Sequence, residues 1–180
     1  DLEDRFNSEG KQTVIVPGNH DCSIFYNETI NSGTLHKQGK NVNGLHRELK
    51  RDKLAHDYIK KLISGDSHGV KIELGERQAY VVHGGLAGDL SSYRYCPEKW
   101  KDLWFRLEWE CNYKDNFDKM DEFGYDILIR GHDHFRNCAA RDENGKLDRI
   151  SVYDDKIHEL NHENHIIMPG AWFDGDFLII

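Results

Sequence analysis

The sequence has little of what marks secreted, membrane or nucleic-acid-binding chains. Its four cysteines, Cys22, Cys96, Cys111 and Cys138, form no Cys-x-x-Cys pair, which argues against a zinc knuckle and against a dense disulfide framework. No apolar run approaches the roughly 20 residues of a membrane span, and no charged-then-apolar leader opens the chain. We therefore expect a soluble, cytoplasmic protein that does not bind membranes.

Positive charge is also scarce. Lysine and arginine number 24 against 32 aspartates and glutamates, which gives a net charge of -8. A surface that binds nucleic acid by neutralising phosphates needs the opposite balance, so a nucleic-acid partner is not expected. Any phosphate bound by this chain would need metal cations to attract it.

The length of 180 residues suits one domain with a substantial core, and we expect residues 1–180 to form a single domain. Mixed apolar periodicities predict an α/β class. Helices are predicted at 1–6, 51–64, 100–107 and 117–123. Strands are predicted at 14–16, 70–74, 78–82, 126–130, 165–169 and 176–180. A hairpin turn is predicted at Asn144-Gly145, between strands at 138–141 and 150–153, and a loop is predicted at 22–43.

Three segments share one design, in which an apolar strand runs into glycine and polar side chains. The first runs from Val14 to Asp21, the second from Tyr80 to Gly85 and the third from Asp126 to His134. Ligands of α/β sheets bind at the carboxyl ends of strands, so we expect these side chains to meet at one sheet edge. The residues so delivered are Asn19, His20, Asp21, His83, His132 and His134.

An amide oxygen and several neutral imidazoles form a donor set suited to manganese, iron, nickel or zinc rather than to calcium. Two such ions about 3.5–4 Å apart can stabilise both the attacking and the leaving oxygen of a phosphoryl displacement. A histidine that is not a ligand can then protonate the leaving oxygen while a carboxylate orients it, and His20 followed by Asp21 offers that pair.

The chain resembles the calcineurin-like metallophosphoesterases in these motifs. Gly18-Asn19-His20-Asp21 matches the GNHD motif of the family, Val82-His83-Gly84-Gly85 its HGG-type segment, and Gly131-His132-Asp133-His134 its GHxH motif, in the same order. The resemblance implies a β-sandwich flanked by helices, with two metal ions at the sheet edge. It further implies that Asn19, His83 and His132 bind one ion, that His134 binds the other, and that His20 is an acid oriented by Asp21.

The chain also departs from the family pattern. The family begins with a D-x-H strand, and none precedes Asn19 in this sequence. The family then has a GDxxD loop, and the only fit to it here is Asp1-Leu2-Glu3-Asp4-Arg5. Fewer residues separate this segment from the GNHD motif than a crossover connection usually takes. We expect the domain to lack its N-terminal strand or strands. Asp1 is therefore not expected to be the aspartate that, in the family, bridges the two metal ions. On that view the chain alone holds at most one metal and is inactive. Pro17 replaces the arginine of protein Ser/Thr phosphatases, which argues against protein dephosphorylation.

Other reactive residues do not belong to the predicted site. His158, His162 and His165 could form a metal cluster, but their polar surroundings favour a solvated loop. Arg130 could hold a phosphate or pair with a carboxylate. Cys22 follows Asp21, but no motif ties a second histidine to it as a base.

The sequence predicts a hydrolase that cleaves a phosphate ester, either a monoester or a diester, with metal-activated water at a dinuclear site. A nucleotide is one candidate substrate. Two alternatives stay open: a nuclease or nucleotide phosphodiesterase of the same superfamily, and a metal-depleted, non-catalytic binding domain with the same fold. The sequence does not fix the metals, the substrate or the oligomeric state.

Overall fold

The computed structural model describes residues 8, 13–27, 42–65, 68–91, 93, 96–150 and 159–169. The helices are α1 (Asn19–Tyr26), α2 (Val42–Arg51), α3 (Lys53–Ile63), α4 (Lys101–Trp104) and α5 (Glu110–Phe123), with a 3₁₀ turn at Glu98–Trp100. The strands are β1 (Val70–Leu74), β2 (Arg77–Val82), β3 (Ile127–Arg130), β4 (Arg136–Arg141), β5 (Leu147–Ile150) and β6 (Asn164–Pro169).

The strands form one mixed sheet in the order β1-β2-β3-β6-β4-β5. Strands β2, β3 and β6 are parallel, whereas β1, β4 and β5 join them as antiparallel strands. In the parallel pair β2–β3, Val82 lies opposite Arg130, so both strands end level with each other. Because parallel strands share their carboxyl edge, the residues that follow Val82 and Arg130 meet there.

Two apolar clusters hold this edge in place. One packs the buried face of α5, through Tyr113, Phe117 and Met120, against Leu128 of the sheet. The other joins α1, α3 and α4. Its fully or nearly fully buried members are Cys22, Ile63, Tyr93, Trp100, Leu103 and Trp104. The first cluster fixes the sheet, and the second fixes the start of α1 beside it.

Several predictions from the sequence are confirmed. The α/β class is correct, and the sheet is flanked by helices. Strands β1, β2, β3 and β6 lie within a residue of their predicted bounds. Helix α5 contains the predicted 117–123 segment and ends at Gly124, whose φ of 71° is the left-handed geometry that favours glycine.

The prediction of a buried strand at Val14–Val16 is wrong. These residues are in no strand, and Ile15 keeps 37% of its surface exposed. The β-branched side chains favour an extended backbone, but a strand also needs a hydrogen-bonding partner, which none of the described strands supplies.

The predicted loop from Cys22 to Asn43 is also wrong at both of its ends. Cys22–Tyr26 is the body of α1, and α2 begins at Val42. The predicted helix 51–64 proves to be α3, separated from α2 at Asp52, whose carboxylate accepts the Ala55 N–H at 3.0 Å. The apolar residues of α1 follow too weak a helical period for the sequence to reveal this helix.

Two smaller predictions need correction. The helical spacing at 100–107 is a 3₁₀ turn followed by α4, which ends at Trp104, so Leu107 lies beyond the helix. The hairpin between β4 and β5 is turned by residues 142–146 rather than by Asn144-Gly145 alone. Asp142 accepts the Asn144 and Lys146 N–H groups, which makes the longer turn stable.

Some predictions fall outside the described residues. They are the helix at 1–6 with Asp1, the far end of the 150–153 strand, His158, and the strand at 176–180. His165 is described and is fully buried in β6, so the expectation that it sits in a solvated loop is wrong. Over the part of the chain that is described, no helix is long and apolar enough to cross a membrane.

Candidate metal centre

Three of the predicted ligands come together at the sheet edge. His83 Nε2 lies 3.0 Å from Asn19 Oδ1, and His132 Nδ1 lies 3.3 Å from the same His83 nitrogen. Asn19 and His132 are buried, at 6% and 7% exposure. We call Asn19, His83 and His132 the ligand trio. Each of its members comes from a different motif, as the sequence predicted.

Asn19 is placed by the start of α1. The helix begins after Gly18, whose N–H donates to Asp21 Oδ2 at 2.8 Å, in the position of a capping carboxylate. The Asp21 carboxylate therefore accepts its hydrogen bond from Gly18. Asp21 acts on the pKa of His20 through its charge. The predicted role of Asp21 in orienting His20 stays a prediction.

His83 is placed by the turn that follows β2. The N–H groups of Gly84 and Gly85 both donate to the Asp102 carbonyl oxygen at 2.9 Å. A Cβ atom at Gly84 would lie 2.4 Å from that oxygen, so only glycine permits this close approach. The chain turns sharply here, and His83 is left facing Asn19.

His132 and His134 lie in the turn after β3, and both have unusual backbone geometry. Their φ angles are 67° and 60°, in the left-handed region that side-chain-bearing residues avoid at a cost of roughly 1–2 kcal/mol. Asp133 between them is held firmly: its Oδ2 accepts from Arg130 Nη1 at 2.6 Å and from the Leu107 N–H at 3.2 Å. The buried carboxylate thus fixes the strained turn that presents both histidines.

Arg130 is fully buried and connects four parts of the site. Besides Asp133, its guanidinium donates to the Gly84 carbonyl, to the Phe105 carbonyl at 3.0 Å and to Met168 Sδ at 2.8 Å. Of the two roles weighed from the sequence, the structure shows the carboxylate pair. Arg130 stabilises the turns that carry His83 and His132.

Burial keeps the trio imidazoles neutral. Burial first, and then the charge of Arg130, lower the pKa of His83 to about 4. Burial first, and then His83 and Arg106, lower the pKa of His132 to about 2. A neutral imidazole has a lone pair to offer, which is the form that binds a metal.

The donor set of the trio fits a transition-metal ion. Two ligands at about 2.1 Å from one ion lie about 3 Å apart, and the observed contacts of 3.0 and 3.3 Å agree. Among the described residues no three His, Cys, Asp or Glu side chains form a metal-binding group, so this site consists of two imidazoles and an amide. Neutral nitrogen and amide oxygen suit manganese, iron, nickel or zinc.

His20 and His134 lie beside the trio. His134 is exposed, and its charge lowers the pKa of His20, His83 and His132, so it is close to all three. Burial lowers the pKa of His20. The edge of the Trp104 ring meets the His20 imidazole at 6.3 Å between centroids.

Reasoning from the sequence missed three residues of the site. Trp104 is buried, and its ring lies 6.1 Å from that of His132. Tyr93 and Arg106 were not singled out, yet the Tyr93 hydroxyl lies 2.8 Å from His132 Nε2 and accepts from Arg106 Nε at 2.7 Å. No motif contains them, and only the fold brings them together.

Cys22 is excluded as a nucleophile by its surroundings. The residue is fully buried, and burial, followed by the charge of Asp21, raises the pKa of its thiol to about 12. The reactive form of cysteine is the thiolate, so this thiol is inert. All four cysteines are free.

The fold and the site define an α/β domain with histidine and asparagine side chains gathered at the carboxyl edge of its parallel strands. The chain belongs to the calcineurin-like phosphoesterase family, whose model matches residues 1–136. This membership supports a hydrolase of the metallophosphoesterase type. Among curated proteins none matches this chain.

A solved structure, a metallophosphoesterase from Sphaerobacter thermophilus, is similar to this chain with a TM-score of 0.55 and 18% sequence identity. The match covers 88% of this chain and 54% of that one, so the chain spans about half the length of that protein. At this identity the likeness shows the fold alone. It agrees with the mixed sheet and flanking helices described above.

Proposed function

We propose that this domain hydrolyses a phosphate ester and that Asn19, His83 and His132 hold one of two catalytic metal ions. The observation that carries the proposal is the convergence of the three donor atoms within 3.0 and 3.3 Å contacts. His134, which is exposed and lies close by, belongs to the third motif and would bind the second ion. Bound manganese, iron, nickel or zinc would supply an activated water and positive charge for the phosphoryl group.

The residues of the chain have separate tasks around that centre. Asn19 presents a neutral donor from the start of α1, and His83 and His132 present theirs from the turns that follow β2 and β3. His20 lies at the same edge and supplies the proton for the leaving oxygen. Because the chain carries a net charge of -8, an anionic substrate would be attracted by the metal centre rather than by the protein surface.

The substrate class is a phosphate ester, with monoesters and diesters both compatible with the site. Nucleotides are among the candidates, and the acidic balance argues against long nucleic acids as substrates. The four free cysteines favour a reducing compartment such as the cytoplasm.

The test is metal-dependent hydrolysis by the native protein that carries this chain. We expect turnover of p-nitrophenyl phosphate or bis-p-nitrophenyl phosphate with Mn²⁺, lowered ~100-fold or more by Asn19→Ala. Asn137→Ala, which removes the hydrogen bond from Asn137 to the Tyr113 hydroxyl, is the matched control and should keep most of the activity. Metal binding without turnover of any phosphate ester would favour the alternative of a non-catalytic binding domain.

A further inference from the structure

The buried side of His132 is held by a hydrogen-bonded pair that no motif contains. Tyr93 is 9% exposed, and its hydroxyl oxygen lies 2.8 Å from His132 Nε2. Arg106 Nε donates to that same oxygen at 2.7 Å, and the Arg106 guanidinium lies 5.7 Å from the centroid of the Tyr93 ring. The hydroxyl therefore joins a surface cation to a buried metal-ligand candidate.

The donor directions of this network follow from its chemistry. The Asn19 Oδ1 atom can only accept, so His83 Nε2, 3.0 Å away, carries a hydrogen in the metal-free protein. His132 Nδ1 lies 3.3 Å from that N–H and must itself be without a hydrogen. A neutral imidazole has one hydrogen, so that of His132 is on Nε2 and donates to the Tyr93 oxygen.

The same oxygen also accepts from Arg106, whose guanidinium can only donate. Its two acceptor positions are thus used by Arg106 and His132. This arrangement favours the Nε2–H tautomer of His132, because a hydrogen on Nδ1 would face the His83 N–H, whereas a hydrogen on Nε2 finds an acceptor in the Tyr93 oxygen. The hydrogen bond to one ring nitrogen determines which nitrogen is available to a metal.

We propose that Tyr93, held by Arg106, is a positioning residue that fixes His132 in the Nε2–H tautomer and so directs its Nδ1 lone pair into the ligand trio. The inference rests on the proposed function for its metal, but the tautomer itself exists without one. Trp104 supports the geometry, since its ring contacts those of Tyr93 and His132 at centroid distances of 4.8 and 6.1 Å. The tautomer and the metal affinity can therefore be tested separately.

The first measurement is long-range ¹H–¹⁵N NMR of the metal-free chain labelled at histidine, with His132→Gln identifying the signal. The wild type should show His132 as the Nε2–H tautomer, and Tyr93→Phe should convert it to a mixture. Tyr113→Phe is the matched control, because Tyr113 is also buried and its hydroxyl also accepts a side-chain hydrogen bond, from Asn137. It should leave the His132 tautomer unchanged.

The second measurement is the affinity for Mn²⁺ by competition with a chelator. Tyr93→Phe should weaken binding ~10–100-fold, the usual effect of losing such an outer partner, and Arg106→Met should weaken it less but in the same direction. Because Arg106 is partly exposed, Arg106→Met is expected to fold. It therefore tests the proposal even if Tyr93→Phe does not fold.

Two results would overturn the inference: a wild-type His132 with its hydrogen on Nδ1, or a tautomer and Mn²⁺ affinity unchanged in both variants. A wild-type protein that shows the Nε2–H tautomer but binds no Mn²⁺ would contradict the proposed function while supporting the hydrogen-bond network. The two failures are therefore distinguishable.

Discussion

His20 is the residue whose chemistry is most directly open to test. It lies beside the trio, next to Asn19 in the chain, and the proposed role is to protonate the leaving oxygen. In the native protein His20→Ala should lower kcat by ~10²–10⁴ for alkyl phosphates, whose leaving groups need a proton. The loss should be much smaller for p-nitrophenyl phosphate.

The comparison of the two substrates is the internal control for this prediction. A variant that merely distorted the site would lose activity equally on both. Equal losses would therefore remove His20 from the role of general acid, and kcat measured with each substrate at saturating concentration decides between the two outcomes.

Single residues also show where reasoning from the sequence succeeds and where it stops. Asn19, His83 and His132 could be predicted to meet, because each follows an apolar segment and a glycine lies beside it in the chain. Tyr93 could not, because its role depends on a contact with His132, 39 positions away, and with Arg106. Asp21 could be placed near His20, but its hydrogen bond to Gly18 depends on a helix that the sequence pattern does not reveal.

At the scale of elements, the turn after β3 is the most constrained part of the site. Asp133→Asn should destabilise the fold by ~3–5 kcal/mol, because it leaves the buried Arg130 cation without its partner. Both side chains are inaccessible, at 0% and 3% exposure, so water cannot replace the lost carboxylate. A lowered urea midpoint at pH 7 is the expected result.

The matched variant for this turn is Asp118→Asn on α5, whose carboxylate pairs with Lys114 at the surface at 2.7 Å. Exposed pairs of this kind contribute little, so the midpoint should hardly move. If both variants had the same small effect, the buried pair would not be what holds the turn that carries His132 and His134.

The elements also divide clearly by how well they could be predicted. Strands β2 and β3 carry β-branched runs and were placed correctly, because buried parallel strands read as continuous apolar segments. Val14–Val16 has the same composition without a described partner and is no strand. Helix α1 could not be predicted, because its capping residues, Gly18 and Asp21, belong to the same motif that predicts catalytic and metal-binding residues.

At the scale of the whole molecule, buried histidines should make stability depend on pH. Burial first, and then the neighbouring cation Arg77, lower the pKa of His165 to about 4. An unfolded histidine takes up its proton near pH 6.5, so between about pH 6.5 and 4 the unfolded chain binds more protons. Stability is therefore fully present above about pH 6.5 and is lost as the pH falls towards 4.

The measurement is the free energy of unfolding from urea titrations between pH 7 and 4. His165→Gln removes one titrating group, and its stability should fall less steeply than that of the wild type, by up to about 1.4 kcal/mol per pH unit. Parallel pH profiles for the two proteins would show that His165 takes up its proton in the folded state as readily as in the unfolded one.

The central claim is that three motifs from separate parts of the molecule build one metal site. The family match over residues 1–136 spans all three, and the fold brings their donor atoms into contact. The most direct test is the metal content of the 180-residue chain after equilibration with Mn²⁺, compared with that of His83→Ala. We predict that the wild type holds an ion through the trio and that His83→Ala loses it while circular dichroism shows an intact fold. The same Mn²⁺ stoichiometry in both proteins would contradict the account, because the ion would then be held by residues other than Asn19, His83 and His132.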